Sequence, residues 1–345
     1  MADPTAHVHQ MPPEVRHPPQ VRPNVLSLFL KGSRRRSWTL VAGTVLLVTI
    51  LLVLLLTPWI APHDPATQDL ASRLAGPSRE HWLGTDHLGR DVLSRLMWGG
   101  RFSVTIAAIT LVFCAAVGII LGAVAARAGG WVDEIVMRTV DVLICFPDVV
   151  VALFLIALFG TGPATLIAAL TITGWTPFGR LMRGLALDIS SKDYVEAAEI
   201  LGSPKAYIVF RHIIPNAIRP VLAMGFLRFG HKLITVGALS YLGLGVQPPN
   251  SDWGAMLMDA QPYMERSANL GVLPGLAIFV TALSVTMIGQ GLEGRKRGLK
   301  RRLAALPPVP GVGAAAVADT VDSADTLELE DTPGAHAPTP GGDVR

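Results

Sequence analysis

Long apolar runs, separated by short polar stretches, occupy most of the chain between residues 38 and 292. An α-helix needs about 20 apolar residues to cross the hydrocarbon core of a bilayer, and backbone groups in lipid must be hydrogen-bonded within their own segment. Six runs meet or approach that length: residues 38–60, 102–126, 142–159, 164–178, 217–244 and 271–292. The pattern therefore predicts an all-α integral membrane protein with six transmembrane helices.

Basic residues cluster before the first apolar run and after the last one. They are Lys31, Arg34, Arg35 and Arg36 on one side, and Arg295, Lys296, Arg297, Lys300, Arg301 and Arg302 on the other. Because Lys and Arg near span ends favour the cytoplasmic side, we expect a protein of the cell (inner) membrane with both termini in the cytoplasm. An even number of spans then places the polar segment between the fourth and fifth runs in the cytoplasm. Residues 62–101 lie outside in this topology, although their arginines work against the rule.

Two tails of distinct composition flank the apolar region, which sets a transmembrane domain at residues 31–302. Residues 1–30 are rich in Pro and His, and residues 303–345 are rich in Ala, Pro, Gly and acidic residues. Such compositions cannot bury enough apolar surface to fold, so both tails are predicted to be disordered. The net charge of +3 comes from the clusters beside the spans, which favours anionic lipid over nucleic acid as their partner.

The polar segment between the fourth and fifth runs contains the capping and stop residues expected of two short helices. Asp193 is expected to cap the first helix, with Glu196 three residues on as its capping partner. Gly202 supplies a left-handed stop, and Ser203 is expected to cap the second helix. Pro215 is expected to end that helix. A bent helical element of this kind beside a membrane is suited to push on a partner or to be pushed by one.

The same segment resembles the EAA loop of ABC importer permeases. The resemblance is carried by Glu196, Ala197, Ala198, Gly202 and Pro215. In that family the loop is a coupling helix that seats in a groove of the cytoplasmic ATPase, and the two alanines would allow close packing there. Judged on the residues alone, an ordinary cytoplasmic helical hairpin is the alternative.

Two further stretches resemble one subgroup of these permeases. They are residues 81–95, HWLGTDHLGRDVLSR, and residues 239–249, LSYLGLGVQPP. Both are similar to the second permease subunit of dipeptide, oligopeptide and nickel importers, and with the EAA-like loop the resemblance covers about residues 38–292. In the first stretch Asp86 is expected to pair with Arg90 and Asp91 with Arg95, because each pair is four residues apart. This stretch would either contact a binding protein or pack as a lid on the spans.

The resemblance also implies the partners of the chain. They are a homologous permease subunit, two ABC ATPase subunits or domains, an extracytoplasmic substrate-binding protein and a peptide substrate. The chain lacks the Gly-rich phosphate loop of an ATPase, so we expect no enzyme and no cofactor in this chain, with ATP and magnesium held by the partner ATPases. Peptide is favoured over nickel because peptide systems are the larger part of the subgroup.

Charged residues interrupt the fifth apolar run. Arg228, His231 and Lys232 are three and four residues apart and can share one helical face. A charge at the bilayer centre costs roughly 2.5 to 3.5 kcal/mol on insertion scales, so these groups should not face lipid. They are predicted either to line a translocation path for an anionic group, such as a peptide carboxylate, or to face the partner permease. A secondary transporter or channel that works alone, with these charges as its ion site, is the alternative from another class.

Overall fold

The computed structural model describes residues 38–247 and 249–304, and the side chains among them up to residue 292. The predicted tails, residues 1–30 and nearly all of 303–345, lie outside this part of the chain. The described residues form helices and turns and contain no β-strand. The α-helices are α1 (Trp38–Ile60), α2 (Val92–Ala128), α3 (Gly130–Ile144), α4 (Asp148–Phe159), α5 (Pro163–Gly174), α6 (Thr176–Ser190), α7 (Asp193–Ile200), α8 (Lys205–Ile208), α9 (Ile214–Tyr241), α10 (Trp253–Ala260) and α11 (Asn269–Ala304).

Four helical stretches in the described part of the chain are long and apolar enough to cross a membrane. They are Trp38–Ile60, Val92–Ala128, Lys205–Tyr241 and Asn269–Leu292. A fifth span results if α3 and α4, which meet at a bend of 91°, are counted as one broken span. The first, second, fifth and sixth predicted helices are therefore confirmed as helices of the right length.

The third apolar run does not form the single helix that was predicted for residues 142–159. Its first residues belong to α3, and α4 begins only at Asp148. Pro147 lies between them with an extended backbone, φ −60° and ψ 129°. Proline disfavours the helical conformation of the residue before it and donates no backbone hydrogen bond, so the helix stops and restarts in a new direction.

The fourth run is also divided. Helix α5 has 12 residues, about 18 Å of helix, and it ends at Gly174 rather than at the predicted Phe178. Pro177 cannot donate to the carbonyl of Thr173, but the hydroxyl of Thr176 donates to that carbonyl at 2.9 Å. Threonine hydroxyls are one of the groups that re-satisfy carbonyls freed by proline in membrane helices. Helix α6 therefore follows α5 after a break of one residue.

Small residues let the long helices pack at backbone distance. A Cβ on Gly43 of α1 would lie 2.8 Å from the carbonyl oxygen of Ser284 in α11. Likewise, a Cβ on Gly118 or Gly122 of α2 would collide with α6. Close approach through small residues is the usual packing mode of helices in a membrane, where apolar burial drives association only weakly.

Polar groups collect at two opposite ends of the bundle. One end, named here the Asp86 end, comprises residues 61–95 and 249–268, which are joined by ion pairs. The other, named the Glu196 end, comprises residues 127–141 and 180–212 and is joined in the same way. Helix α2 runs from the first end to the second with 37 residues, a length of about 55 Å.

Candidate functional site

Helix α7 ends in a left-handed turn at Gly202, as the sequence predicts. Gly202 has φ +79°, its amide donates to the carbonyl of Glu199 at 2.9 Å, and the amide of Ser203 donates to the carbonyl of Ala198 at 3.0 Å. These two bonds form a Schellman motif, which needs a residue that adopts positive φ without strain. The turn therefore fixes the angle at which the chain leaves α7.

Both predicted caps of this segment are wrong. Lys192 occupies the position before α7 and Asp193 is its first helical residue, and no side chain caps that helix. Ser203 does not cap the next helix, because its amide already closes α7 and Pro204 takes the cap position in an extended conformation.

The predicted end at Pro215 is also wrong. After α8, the residues Val209–Ile213 form a π-helical turn that leads directly into α9. The amide of Ile214 donates to the carbonyl of Val209, five residues back, and Pro215 falls in the first turn of α9. A wider π turn accommodates the ring and the missing donor of proline, so the helix continues through it.

The EAA-like segment is anchored on one face and bare on the other. Val195 and Ile208 are completely buried. Glu196, Ala197, Gly202 and Pro215 are exposed, and Ala198 is half-buried. Its exposed apolar side chains include Ile200, Leu201 and Phe210, which are 80%, 85% and 70% exposed. Large apolar side chains this exposed at a polar end of the bundle favour an interaction site.

An ion pair ties this segment to α2. Arg127, in the last turn of α2, lies 2.5 Å from the carboxylate of Glu199 in α7. Arg183 of α6 makes a two-pronged pair with Asp133 of α3 beside it. The bidentate pair holds the orientation of α6 against α3, and the Arg127–Glu199 contact joins the end of α2 to α7.

A partly open cavity of about 470 Å³ lies within the helical bundle. It lies where the bend between α3 and α4 meets the break between α5 and α6, opposite α9. The cavity brings together the predicted Arg228, His231 and Lys232, which all line it. Interrupted helices are common at the substrate sites of transporters, where irregular backbone lines a wet space instead of lipid.

Lys232 is the most deeply placed of these cations and has an acidic partner that sequence analysis missed. Its side chain is 4% exposed, and its Nζ lies 3.2 Å from Asp148 and 3.4 Å from the carbonyl of Leu170. A Cβ on Gly174 would lie 2.7 Å from this Nζ, so a larger residue there would displace the end of the lysine side chain. Asp148 could have been found from the sequence, because an acidic residue within an apolar run is expected to have a functional role.

The cavity carries more positive than negative charge. Lys232 is balanced by Asp148, and Arg180 at the rim pairs with Asp141 at 2.6 Å. Arg228 is half-buried and makes no polar contact within the described part of the chain. With His231 exposed beside it, the cavity has the potential of an anion-binding space.

The charge cluster at the Asp86 end differs from the prediction in one pair. Asp86 and Arg90 do pair, at 2.7 Å. Arg95, however, contacts Asp86 and lies 3.0 Å from Asp259, not Asp91. Asp91 instead caps α2 by accepting from the amide three residues on, at 2.8 Å. One oxygen of Asp91 is taken by this amide and the other faces His81, while the guanidinium of Arg95 contacts Asp86 and Asp259.

This cluster is buried and charge-balanced. Burial alone would raise the pKa of the Asp86 carboxyl, but the guanidinium groups of Arg95 and Arg90, together with the backbone amides of Arg90 and Leu88, hold that pKa below its usual range. Arg90 also lies 3.2 Å from Asp259. Two arginines and two aspartates thus lock the segment before α2 onto the one around α10.

Comparisons with known proteins agree with this architecture. Residues 118–298 match the family model for the binding-protein-dependent transport system inner membrane component. Residues 35–77 match the model for the N-terminal TM domain of oligopeptide transport permease C.

Two relatives are similar over most of their length. The glutathione transport system permease protein GsiD of Pectobacterium atrosepticum is 36% identical over 75% of this chain and 86% of its own. The nickel transport system permease protein NikC of Escherichia coli K12 is 32% identical over 77% of this chain and 95% of its own. A solved structure described as an amino acid ABC transporter with histidines matches with a TM-score of 0.43 and 19% identity, over 58% of this chain and 93% of that one. At those values this last match adds nothing to the assignment.

The family model covers more than half of the chain, and the relatives cover three quarters of it. The chain belongs to the family of binding-protein-dependent transport system inner membrane components and is a permease of the subgroup that includes GsiD and NikC.

Proposed function

We propose that this permease forms half of an ATP-driven import path for di- or oligopeptides and that the cavity beside Lys232 is part of that path. The observation that carries the proposal is the surplus of positive charge where two helix breaks meet. A space lined by Arg228, His231 and Lys232 attracts carboxylates and repels a bare divalent cation. The charge of the cavity therefore favours peptides over free nickel ion, although relatives include permeases of glutathione and of nickel systems.

The Glu196 end is the proposed coupling surface. Its bare face presents Ala197 and Ala198 beside exposed apolar side chains, which suits close packing in a groove of a partner ATPase. The Schellman turn at Gly202 and the pair between Arg127 and Glu199 make the segment a firm element. Binding of ATP and magnesium by the partner ATPases would move this element and so shift the equilibrium between the inward- and outward-facing states of the path.

The six-span topology extends the four long helices and the bent α3–α4 pair by one further crossing. We assign the crossings to α1, α2, the α3–α4 pair, the α5–α6 pair, α9 and α11, with the Glu196 end and both termini in the cytoplasm. The Asp86 end then faces outward, where an extracytoplasmic substrate-binding protein delivers its load. A homologous permease subunit would complete the path, since the cavity is partly open in this chain alone.

The test is ATPase activity and peptide uptake by the complete transporter in liposomes. Gly202→Val forces a β-branched residue into positive φ and should uncouple peptide-stimulated ATPase activity from uptake. Gly202→Asn, which tolerates that conformation, is the matched control and should retain most uptake. Equal activity of the two variants would remove the role of the turn in coupling.

Substrate class is tested in the same liposomes. Uptake of a peptide with a free carboxylate should exceed that of its amidated form, and Arg228→Gln should reduce the difference. Uptake by this chain without ATPase partners would instead support a secondary transporter and contradict the proposal.

A further inference from the structure

Three potential metal-ligand atoms converge just before α2, far from the cavity. The Nδ1 atom of His81 lies 3.0 Å from the Oδ1 atom of Asp91, and the Nδ1 atom of His63 lies 3.9 Å from the same oxygen. All three atoms are within 4.8 Å of one another. No other group of this kind is found in the described residues.

The hydrogen bonds around these atoms leave one of them without a partner. The Oδ2 atom of Asp91 is used by the cap of α2, so its Oδ1 atom faces the two imidazoles. The Nδ1 atom of His63 is buried and makes no hydrogen bond with the described residues. A buried polar atom of this kind costs free energy and calls for an explanation, such as an ion.

We propose that His63, His81 and Asp91 bind one divalent transition-metal ion of the zinc and nickel class. Metal–nitrogen and metal–oxygen bonds of 2.0 to 2.2 Å at tetrahedral angles place neighbouring ligand atoms about 3.4 Å apart. The two measured separations from Asp91, 3.0 and 3.9 Å, lie on either side of that value. The three ligand atoms lie within 4.8 Å of one another, so the two rings would have to rotate toward each other to bind the same ion.

The ligand set selects the class of ion. Two imidazoles with one carboxylate suit zinc, nickel, cobalt or copper, whereas magnesium and calcium prefer oxygen ligands. The side chain of His63 is 34% exposed, so water reaches a fourth position. The ion has a structural role here, because it joins the chain after α1, the turn at His81 and the start of α2.

The experiment uses the full chain, purified in detergent with an affinity tag that contains no histidine. Bound Zn²⁺ is counted after equilibrium dialysis for wild type, His63→Ala, His81→Ala and Asp91→Asn. The last variant keeps an oxygen for the cap. His87→Ala is the matched control, because His87 belongs to the same segment and lies outside the cluster. The histidines of the tails are present in every sample and cancel in the comparison.

Wild type and His87→Ala should bind one ion per chain more than each ligand variant, and Zn²⁺ should raise only their thermal unfolding midpoint. His63→Ala is the decisive variant, since this side chain has no hydrogen bond to lose in the described structure. Equal stoichiometry in His63→Ala and His87→Ala, or an equal rise of their unfolding midpoints with Zn²⁺, would overturn the proposal.

Discussion

The charge cluster at the Asp86 end and the charge cluster of the cavity use the same kinds of side chain in opposite ways. At the Asp86 end, Arg90 and Arg95 lie between Asp86 and Asp259, and every charge has a partner within 3.2 Å. In the cavity, Arg228 has no partner among the described residues. In a balanced cluster every charge is neutralised within the chain, so the cluster stabilises the fold. A surplus charge needs a counter-ion from another molecule.

The two clusters also differ in burial, and burial determines how much the loss of a charge destabilises the fold. Removal of one member of a buried ion pair leaves an unpaired charge in a poor solvent, which is more costly than the loss of the pair itself. A charge that lines a wet space keeps its hydration, so its removal changes what the space attracts and leaves the fold intact. Mutations in the Asp86 cluster should therefore change mainly stability, and mutations in the cavity should change mainly transport.

The largest effect is expected from Arg95→Leu. It leaves Asp86 with one arginine and Asp259 with a weaker contact, and it should destabilise the protein by roughly 3 to 5 kcal/mol. The measurement is the thermal unfolding midpoint of the purified complex in detergent. Arg138→Leu is the control, because its pair with Glu134 is exposed at 3.5 Å and should contribute less than about 1 kcal/mol. Similar midpoints for the two variants would contradict a structural role of the Asp86 cluster.

A smaller effect on the fold and a large one on transport are expected from Gly174→Ala. The added methyl group would meet the Nζ atom of Lys232 and the Sγ atom of Cys114 at 2.7 and 2.6 Å. Overpacking of this kind costs roughly 1 to 3 kcal/mol, and the displaced lysine should reduce peptide uptake about tenfold. Gly184→Ala is the matched control, since nothing lies within 4 Å of its added Cβ. Normal uptake by Gly174→Ala would show that the position of Lys232 has no bearing on transport.

Substitutions of Asp148 and Lys232, which form an ion pair in the cavity, should change the KM for peptide in opposite directions. Asp148→Asn increases the positive surplus and should lower the KM for a peptide with a free carboxylate, and Lys232→Gln should raise it. Both variants break a pair whose lysine is buried, so both should also lose some stability. Each change should be several-fold, equivalent to about 1 kcal/mol. KM is measured from initial uptake rates in liposomes. If these charges face the partner permease instead, both variants should weaken assembly of the complex and neither should change KM selectively.

The smallest effect is a dependence of stability on pH. The pKa of Asp86 is lower in the folded protein than its unfolded value of about 3.9. Its contribution to stability is complete above that value and is lost as the pH falls through the folded pKa. The unfolding midpoint of wild type should therefore fall more steeply below about pH 4 than that of Asp86→Asn, which cannot titrate. Parallel curves for the two proteins would contradict this assignment.

Local patterns predicted the features that depend on neighbours in sequence. Apolar runs gave the long helices, and Gly202 gave the turn after α7. Proline was less informative, because its effect depends on what takes up the carbonyl that it frees. Pro147 ends a helix, whereas Pro215 lies within a longer helical stretch after a π turn. Whether a helix ends or continues at a proline depends on tertiary contacts, which cannot be predicted from the neighbouring residues alone.

The candidate sites were predicted only in part for the same reason. Arg228, His231 and Lys232 were grouped correctly because they lie on one helix. Asp148 is 84 residues from Lys232, and Asp259 is 164 residues from Arg95. Several acids could satisfy each cation at such separations, so spacing alone favoured Asp91 for Arg95, and the cap of α2 excluded it.

Helix α2 has a mechanical consequence for these two ends. It is one unbroken helix, held by Arg95 to the segment around α10 at its start and by Arg127 to Glu199 at its end. A beam of about 55 Å that tilts by about 5° moves its far end by about 5 Å. Under the proposed coupling, a displacement of the EAA-like segment would be carried along α2 to the Asp86 end without passing through the cavity. Opening on one side and closing on the other can then be a single rigid motion.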